Sequence, residues 1–229
     1  RLGDSHFVNS NYWPAMEAYN EAIALSGGKD DYAAFQKAIS YGFVDRNAQK
    51  IENLNTFLST YTWSSYMDDA LFELGNTYVA IDNNVEAIKT YNRLIVNMPE
   101  SSYASKAMLK QGLIFYNQDQ NNEALTKFKK VVADYPSTEE AIQAVKTARL
   151  IYIDMGNTDA YAQWVRGLDF VNVTDAELDE TTFEAAEKQF VENNDAAAIR
   201  GFQKYLKEFP NGLHATESHF YLGQLLFQT

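Results

Sequence analysis

One motif occurs twice in the middle of the chain, and the two copies are 37 residues apart at every matched position. It consists of large, mostly apolar residues around a glycine, an alanine four residues before an aromatic residue, and a closing proline. The copies are Leu71, Leu74, Gly75, Tyr78, Ala87, Tyr91, Pro99 and Met108, Gln111, Gly112, Phe115, Ala124, Phe128, Pro136. Because an internal period of about 20–50 residues is typical of solenoids and arrays, the sequence predicts a fold of stacked repeats.

The same spacing extends over most of the chain. The small residue of the motif recurs at Gly3, Ala38, Gly75, Gly112, Ala186 and Gly223, and Arg149 departs from it. The second small position holds Ala15, Lys50, Ala87, Ala124, Tyr161 and Ala198, each followed four residues later by Tyr19, Leu54, Tyr91, Phe128, Val165 and Phe202. Residues four apart share one helical face. Each unit is therefore predicted to be two amphipathic helices that approach closely at the small residues. The one that comes earlier in the chain is called the first helix of the unit.

Short runs rich in Asn, Asp and Gly separate the predicted helices, and Pro99, Pro136 and Pro210 close the units. A glycine with an apolar residue before it, a tyrosine after it, and then Ala, an aromatic residue and Pro resembles the tetratricopeptide-repeat (TPR) family. The resemblance implies an all-α, right-handed superhelix of antiparallel helix pairs. The 37-residue period exceeds the usual length of about 34. This longer form is similar to the TPR arrays of bacterial envelope proteins.

The period divides the chain into a single array of about six helix pairs and one further helix of the first type. The predicted repeats are 1–29, 30–66, 67–103, 104–140, 141–177 and 178–214, followed by the helix 215–229. The chain begins within a predicted helix and ends on an apolar one, whereas terminal repeats usually carry a polar outer face. We therefore expect a segment of a longer array.

Composition argues against several classes of function. The chain has 19 Lys and Arg against 31 Asp and Glu, a net charge of −12, and no basic cluster of the kind that binds nucleic acid. No apolar run approaches the roughly 18 residues of a membrane span. The absence of cysteine excludes disulfides, thiol catalysis and Cys-ligated zinc.

Residues that could support catalysis or metal binding are better explained by the fold. The acidic pairs Asp30–Asp31, Asp68–Asp69 and Glu139–Glu140 recur where a first helix begins, and there they favour the positive end of the helix dipole. His214 and His219 lack the spacing of a zinc hydrolase, and no phosphate-binding loop is present. The acidic run 175–180 is interpreted as a solvated helix start, with a cation or basic-peptide contact as the alternative. We predict no enzyme activity, no metal and no cofactor.

In proteins of the family that this chain resembles, the first helices line a concave groove, and some members hold a peptide carboxylate there with Lys and Asn. Transferred to this sequence by position, the predicted partner-binding residues are Phe72, Asn76, Lys106, Leu109, Lys110, Leu113 and Tyr116. The carboxylate clamp is incomplete, because Phe72 occupies the place of an expected lysine. The alternative is that the large apolar residues of this set pack into the core.

The predicted function is a non-enzymatic scaffold that binds a partner protein or peptide in this groove. The resemblance further implies a bacterial protein in the periplasm or elsewhere in the cell envelope, with the cytoplasm as the alternative. Two other functions stay open: a regulatory or docking part of a larger enzyme or sensor, and a glycan- or cell-wall-associated envelope component. Acidic or amide side chains flanking an exposed ring would favour the glycan function.

Overall fold

A computed structural model describes residues 1–228, and in that range it contains thirteen helices and no strand. The predicted all-α repeat fold is thereby confirmed. The chain divides into two compact units, Arg1–Ile114 and Phe115–Thr229, with the division inside a helix. No helix within the described range is both long and apolar enough to cross a bilayer.

The first unit contains six complete helices and most of a seventh. They are α1 (Leu2–Val8), α2 (Tyr12–Leu25), α3 (Asp31–Gly42), α4 (Asn47–Thr60), α5 (Met67–Ala80), α6 (Asn84–Asn97) and α7 (Ala104–Asn117). Consecutive helices from α1 to α6 pack against each other, and α3 also contacts α5. Each of these helices therefore contacts its neighbours in sequence, and α3 also contacts the equivalent helix of the next pair, as in a repeat array.

The second unit contains the end of α7 and six further helices. They are α8 (Asn121–Asp134), α9 (Glu139–Asp154), α10 (Thr158–Val165), α11 (Asp175–Val191), α12 (Asp195–Glu208) and α13 (Ala215–Gln228). The helix α9 contacts α8, α10 and α11, and α12 packs between α11 and α13. The six-repeat division of the whole chain remains our proposal, with the starts of α9 and α11 preceding the proposed boundaries by two and three residues.

The turns inside the helix pairs repeat with the same period as the sequence motif. Each turn contains one residue with positive φ, namely Ser10, Asp45, Asp82, Asp119, Gly156 and Asn193. From Asp45 onward these residues are 37 apart. Asp and Asn tolerate the left-handed conformation better than other non-glycine residues, and glycine adopts it freely. The Asn/Asp/Gly runs thus form the polar turns that the sequence predicts.

The predicted close approach at the small positions is confirmed at Gly75 and Gly3. A Cβ atom on Gly75 would lie 2.4 Å from the Tyr91 ring, and one on Gly3 would lie 2.5 Å from the Tyr19 ring. Both rings are buried. Gly223 occupies the same position in α13, yet within residues 1–228 no atom lies within 4 Å of the equivalent Cβ.

The acidic pairs lie at the N-terminal turns of first helices, as predicted, and the first two pairs also bind the next connection along the chain. Ser64 donates a hydrogen bond to Asp31 and Ser101 donates one to Asp68, both with oxygen–oxygen distances of 2.6 Å. The two bonds join residues 33 apart in sequence. They therefore connect one helix pair to the chain segment that leads into the next.

Candidate protein-binding surface

The predicted partner-binding surface contains a stack of two aromatic rings. The ring of Phe72 in α5 lies 4.7 Å from that of Tyr103, with an interplanar angle of 28°. Tyr103 immediately precedes α7, and its hydroxyl donates a 2.8 Å hydrogen bond to Asp69. This bond and burial together raise the pKa of Tyr103 to about 12. Both rings are half-buried, so one side of the stack remains open.

The stack itself is an element of the repeat. Equivalent pairs are Phe35 with Tyr66, at 5.4 Å and 8°, and Phe183 with His214, at 4.1 Å and 9°. In each pair the second ring follows the first by 31 residues. Phe72 therefore joins its helix to the next connection, and the alternative that the large apolar residues serve packing applies at least partly to this ring.

Two lysines distinguish α7 from the equivalent helices. Lys106 and Lys110 lie one turn apart and are exposed, and neither forms an ion pair with any residue that the structure describes. The ammonium of Lys106 is 5.4 Å from the centre of the Tyr103 ring, a cation–π distance. From α3 onward, no other first helix carries a basic residue at either position. The first position holds Tyr32, Asp69, Gln143, Glu180 and Glu217, and the second holds Gln36, Glu73, Thr147, Glu184 and Tyr221.

The other predicted residues differ in accessibility. Asn76 is half-buried, and its side-chain oxygen accepts a 2.8 Å hydrogen bond from the Tyr91 hydroxyl. Leu109 is buried, and Leu113 is half-buried. Tyr116 is half-buried and belongs to the second unit. The structure thus brings Phe72 and Lys106 together around Tyr103, and it places Leu109 in the core.

Tyr103 was absent from the predicted surface. It precedes its helix and so has no place in the helical periodicity, although Tyr66 stands 37 residues before it. That recurrence is the signal by which the sequence could have revealed it. Lys106 and Lys110, together with Phe72, Asn76 and Tyr103, form what we call the Lys106–Lys110 surface.

Histidine and acidic side chains meet at one place in the second unit. The imidazole of His214 lies 2.9 Å from Glu180 and 2.7 Å from Glu217. Burial alone would lower the pKa of His214, but hydrogen bonds to both glutamates and their charges outweigh burial and raise it. Within residues 1–228, no three His, Cys, Asp or Glu side chains are arranged so that they could hold a metal ion.

Comparison with a family model identifies the repeats. Residues 69–101 and 106–138 each match the tetratricopeptide repeat. The chain therefore contains two tetratricopeptide repeats. The two matched segments coincide with the motif copies from which the period was derived. No curated protein matches the sequence significantly.

Solved structures show the same fold over most of this chain. MamA aligns with a TM-score of 0.57 at 19% identity, covering 85% of this chain and 98% of its own. PilF of Pseudomonas aeruginosa aligns at 0.55 and 13% identity, covering 94% and 92%. PilW, a type IV pilus biogenesis factor, aligns at 0.52 and 17% identity, covering 94% of each chain. The TPR fold implies a scaffold for protein–protein interaction.

Proposed function

We propose that this TPR protein is a non-enzymatic scaffold whose Lys106–Lys110 surface binds an acidic segment of a partner protein. The observation that carries the proposal is the pair of exposed lysines on α7, at positions where other first helices are acidic or neutral. In a chain of net charge −12, two neighbouring cations without acidic partners form a local site for carboxylates.

The aromatic stack supplies the apolar part of the proposed contact. Phe72 and Tyr103 are held rigidly by each other and by the bond from Tyr103 to Asp69, so little side-chain entropy is lost when a partner covers them. The side-chain NH2 group of Asn76 can donate a hydrogen bond, since only its oxygen is engaged by Tyr91. Rigid rings beside cations suit a segment that combines apolar and acidic residues.

We further propose a location in the bacterial cell envelope. The long period and the likeness to PilW, a type IV pilus biogenesis factor, support this location. Fractionation of the source cells tests it: the protein is expected with the periplasm or membranes, and recovery with the cytosol would contradict it.

Charge reversal tests the binding surface. Compared with the unaltered protein, the double variant Lys106→Glu, Lys110→Glu is expected to capture less partner from source-cell extract, by a factor of about ten or more. The loss should be largest at low salt. The matched control is Lys89→Glu, Arg93→Glu on α6, which reverses two exposed charges one turn apart and makes the same change in net charge. Equal retention by the two variants would refute the assignment of the surface.

A further inference from the structure

A cavity of about 480 Å³ lies in the first unit, between the C-terminal end of α3, the start of α4 and the second half of α5. Its volume is within the range of about 300–1,000 Å³ that is usual for small-molecule sites. Its lining comprises Gly42 and Phe43 at the end of α3, Asp45 in the turn, Asn47 and Lys50 in α4, and Glu73 and Asn76 in α5.

Three of the lining residues depart from the repeat pattern. Lys50 stands where four equivalent positions hold alanine, and Phe43 stands where later repeats hold Ala80, Asn117, Asp154 and Val191. Gly42 stands where those repeats hold large residues, and a Cβ atom there would come within 3.1 Å of the Lys50 side chain. The glycine thus leaves room for Lys50, whose ammonium lies 2.7 Å from Glu73. Local departures from a consistent pattern are concentrated at functional sites.

Phe43 presents a fixed aromatic surface to solvent. The Tyr12 ring stacks on it at 4.8 Å and 14°, and the Phe7 ring meets it at 5.2 Å and 89°. Despite these two contacts, Phe43 remains 55% exposed. A large ring that is supported on one side and open on the other can accept a flat apolar surface without first becoming ordered.

The polar groups around this ring supply both donors and acceptors. The side chains of Asp45 and Asn47 form no hydrogen bond within the described part of the chain, and Asn76 keeps its NH2 group free to donate. The Lys50–Glu73 pair is neutral overall, so Asp45 leaves the cavity with one net negative charge. Planar acid and amide groups of this kind can bind two neighbouring hydroxyls at once.

We propose that this cavity binds a pyranose ring of a neutral oligosaccharide. The C–H face of the sugar lies on Phe43, and its hydroxyls bond to Asp45, Asn47 and Asn76. An acidic sugar is disfavoured by Asp45, and a purely apolar ligand would leave the amide and carboxylate groups without partners. This site differs from the Lys106–Lys110 surface in ligand and in chemistry, and the two share only Asn76.

Titration followed by amide NMR shifts tests the proposal directly on the whole chain. The neutral probes are cellotetraose, maltotetraose and tetra-N-acetylchitotetraose, with a galacturonic acid tetramer as the charged control. At least one neutral probe is expected to produce saturable shifts at residues 43–50 and 76 with a dissociation constant near or below about 1 mM. No saturable shift from any neutral probe at about ten times that concentration, or equal binding of the acidic tetramer, would overturn it.

Variants assign the binding to the ring and the amide. Phe43→Ala is expected to weaken binding about ten-fold, and Phe43→Trp to retain it, because stacking needs a ring and not a particular one. Asn47→Ala, a small change at the start of α4, tests the polar part if Phe43→Ala fails to fold. The matched control is Trp63→Ala, since Trp63 is 67% exposed and does not line the cavity. Undiminished binding by both Phe43→Ala and Asn47→Ala would refute the site, and Lys106→Glu, Lys110→Glu is expected to leave sugar binding intact.

Discussion

Substituting alanine for Gly75 should destabilise the first unit, although alanine is the better helix former. The added Cβ would lie 2.4 Å from a Tyr91 ring carbon, whereas carbon atoms pack at about 3.5–4.0 Å. Tyr91 is completely buried, and its hydroxyl is bonded to Asn76, so the ring cannot move away without losing that bond. The new Cβ and the ring are more than 1 Å too close, so α5 must move away from α6 to accommodate the alanine.

The opposing contributions give the expected magnitude. Overpacking costs about 1–3 kcal/mol. Loss of the bond to Asn76 adds about 1 kcal/mol to this cost. The higher helix propensity of alanine than of glycine offsets about 1 kcal/mol of it. Gly75→Ala is thus expected to lower the free energy of unfolding by about 1–3 kcal/mol. Gly223→Ala meets no described atom within 4 Å and should instead raise it by up to about 1 kcal/mol.

Urea unfolding followed by circular dichroism measures both changes, and hydrogen exchange assigns the loss in Gly75→Ala to α5 and α6. A double-mutant cycle with Tyr91→Leu isolates the contact, since the smaller side chain should absorb much of the cost of the alanine. The reasoning fails if Gly75→Ala is as stable as the unaltered chain. It also fails if the alanine costs the same with leucine at position 91.

Two further predictions concern pH and the connections between helix pairs. The pKa of His214 is raised above its ordinary value of about 6.5, so protonated His214 stabilises the fold fully below that pH. This stabilisation is lost as pH rises through the folded-state pKa. The thermal midpoints at about pH 6 and pH 8 should therefore differ more in the unaltered chain than in His214→Gln, and an equal difference would contradict this. Ser101→Ala removes the acceptor of the Tyr103 backbone N–H together with the bond to Asp68, and it should cost about 1 kcal/mol in urea unfolding. Ser102→Ala, at the exposed next position, should cost almost nothing, and equal effects of the two would contradict the role of that bond.

The helix pairs and their turns were predictable because they follow one period. The 37-residue period of the two clear motif copies also locates the turn residues Asp45, Gly156 and Asn193, which belong to repeats that match the motif less well. What could not be predicted are contacts made by the connections between pairs. Ser101 and Tyr103 lie outside the helices and have no helical periodicity, so their bonds to Asp68 and Asp69 appear only in the folded chain.

Only some of the predicted partner-binding residues are exposed in the folded chain, again because the sequence does not show which side chains other helices cover. Position within a first helix predicts which side chains share a face, and Lys106 and Lys110 are exposed on one face of α7. It does not predict how far the neighbouring helix covers that face, and Leu109 is buried as a result. Phe43 was not among the predicted residues, because it follows the last residue of α3 and only the folded chain reveals its exposure.

Departures from the repeat are informative only after their contacts are known. Arg149 occupies a position where other repeats carry a small residue, and its guanidinium is engaged by Thr181 at 2.8 Å and Glu184 at 2.8 Å. Its charge is thus paired inside the second unit, where it joins α9 to α11. The helix between these two, α10, has only eight residues. The α7 lysines depart from the pattern equally but have no such acidic partners in the described chain. The same sequence signal therefore marks an internal ion pair at Arg149 and, as we propose, a surface available to another molecule at Lys106 and Lys110.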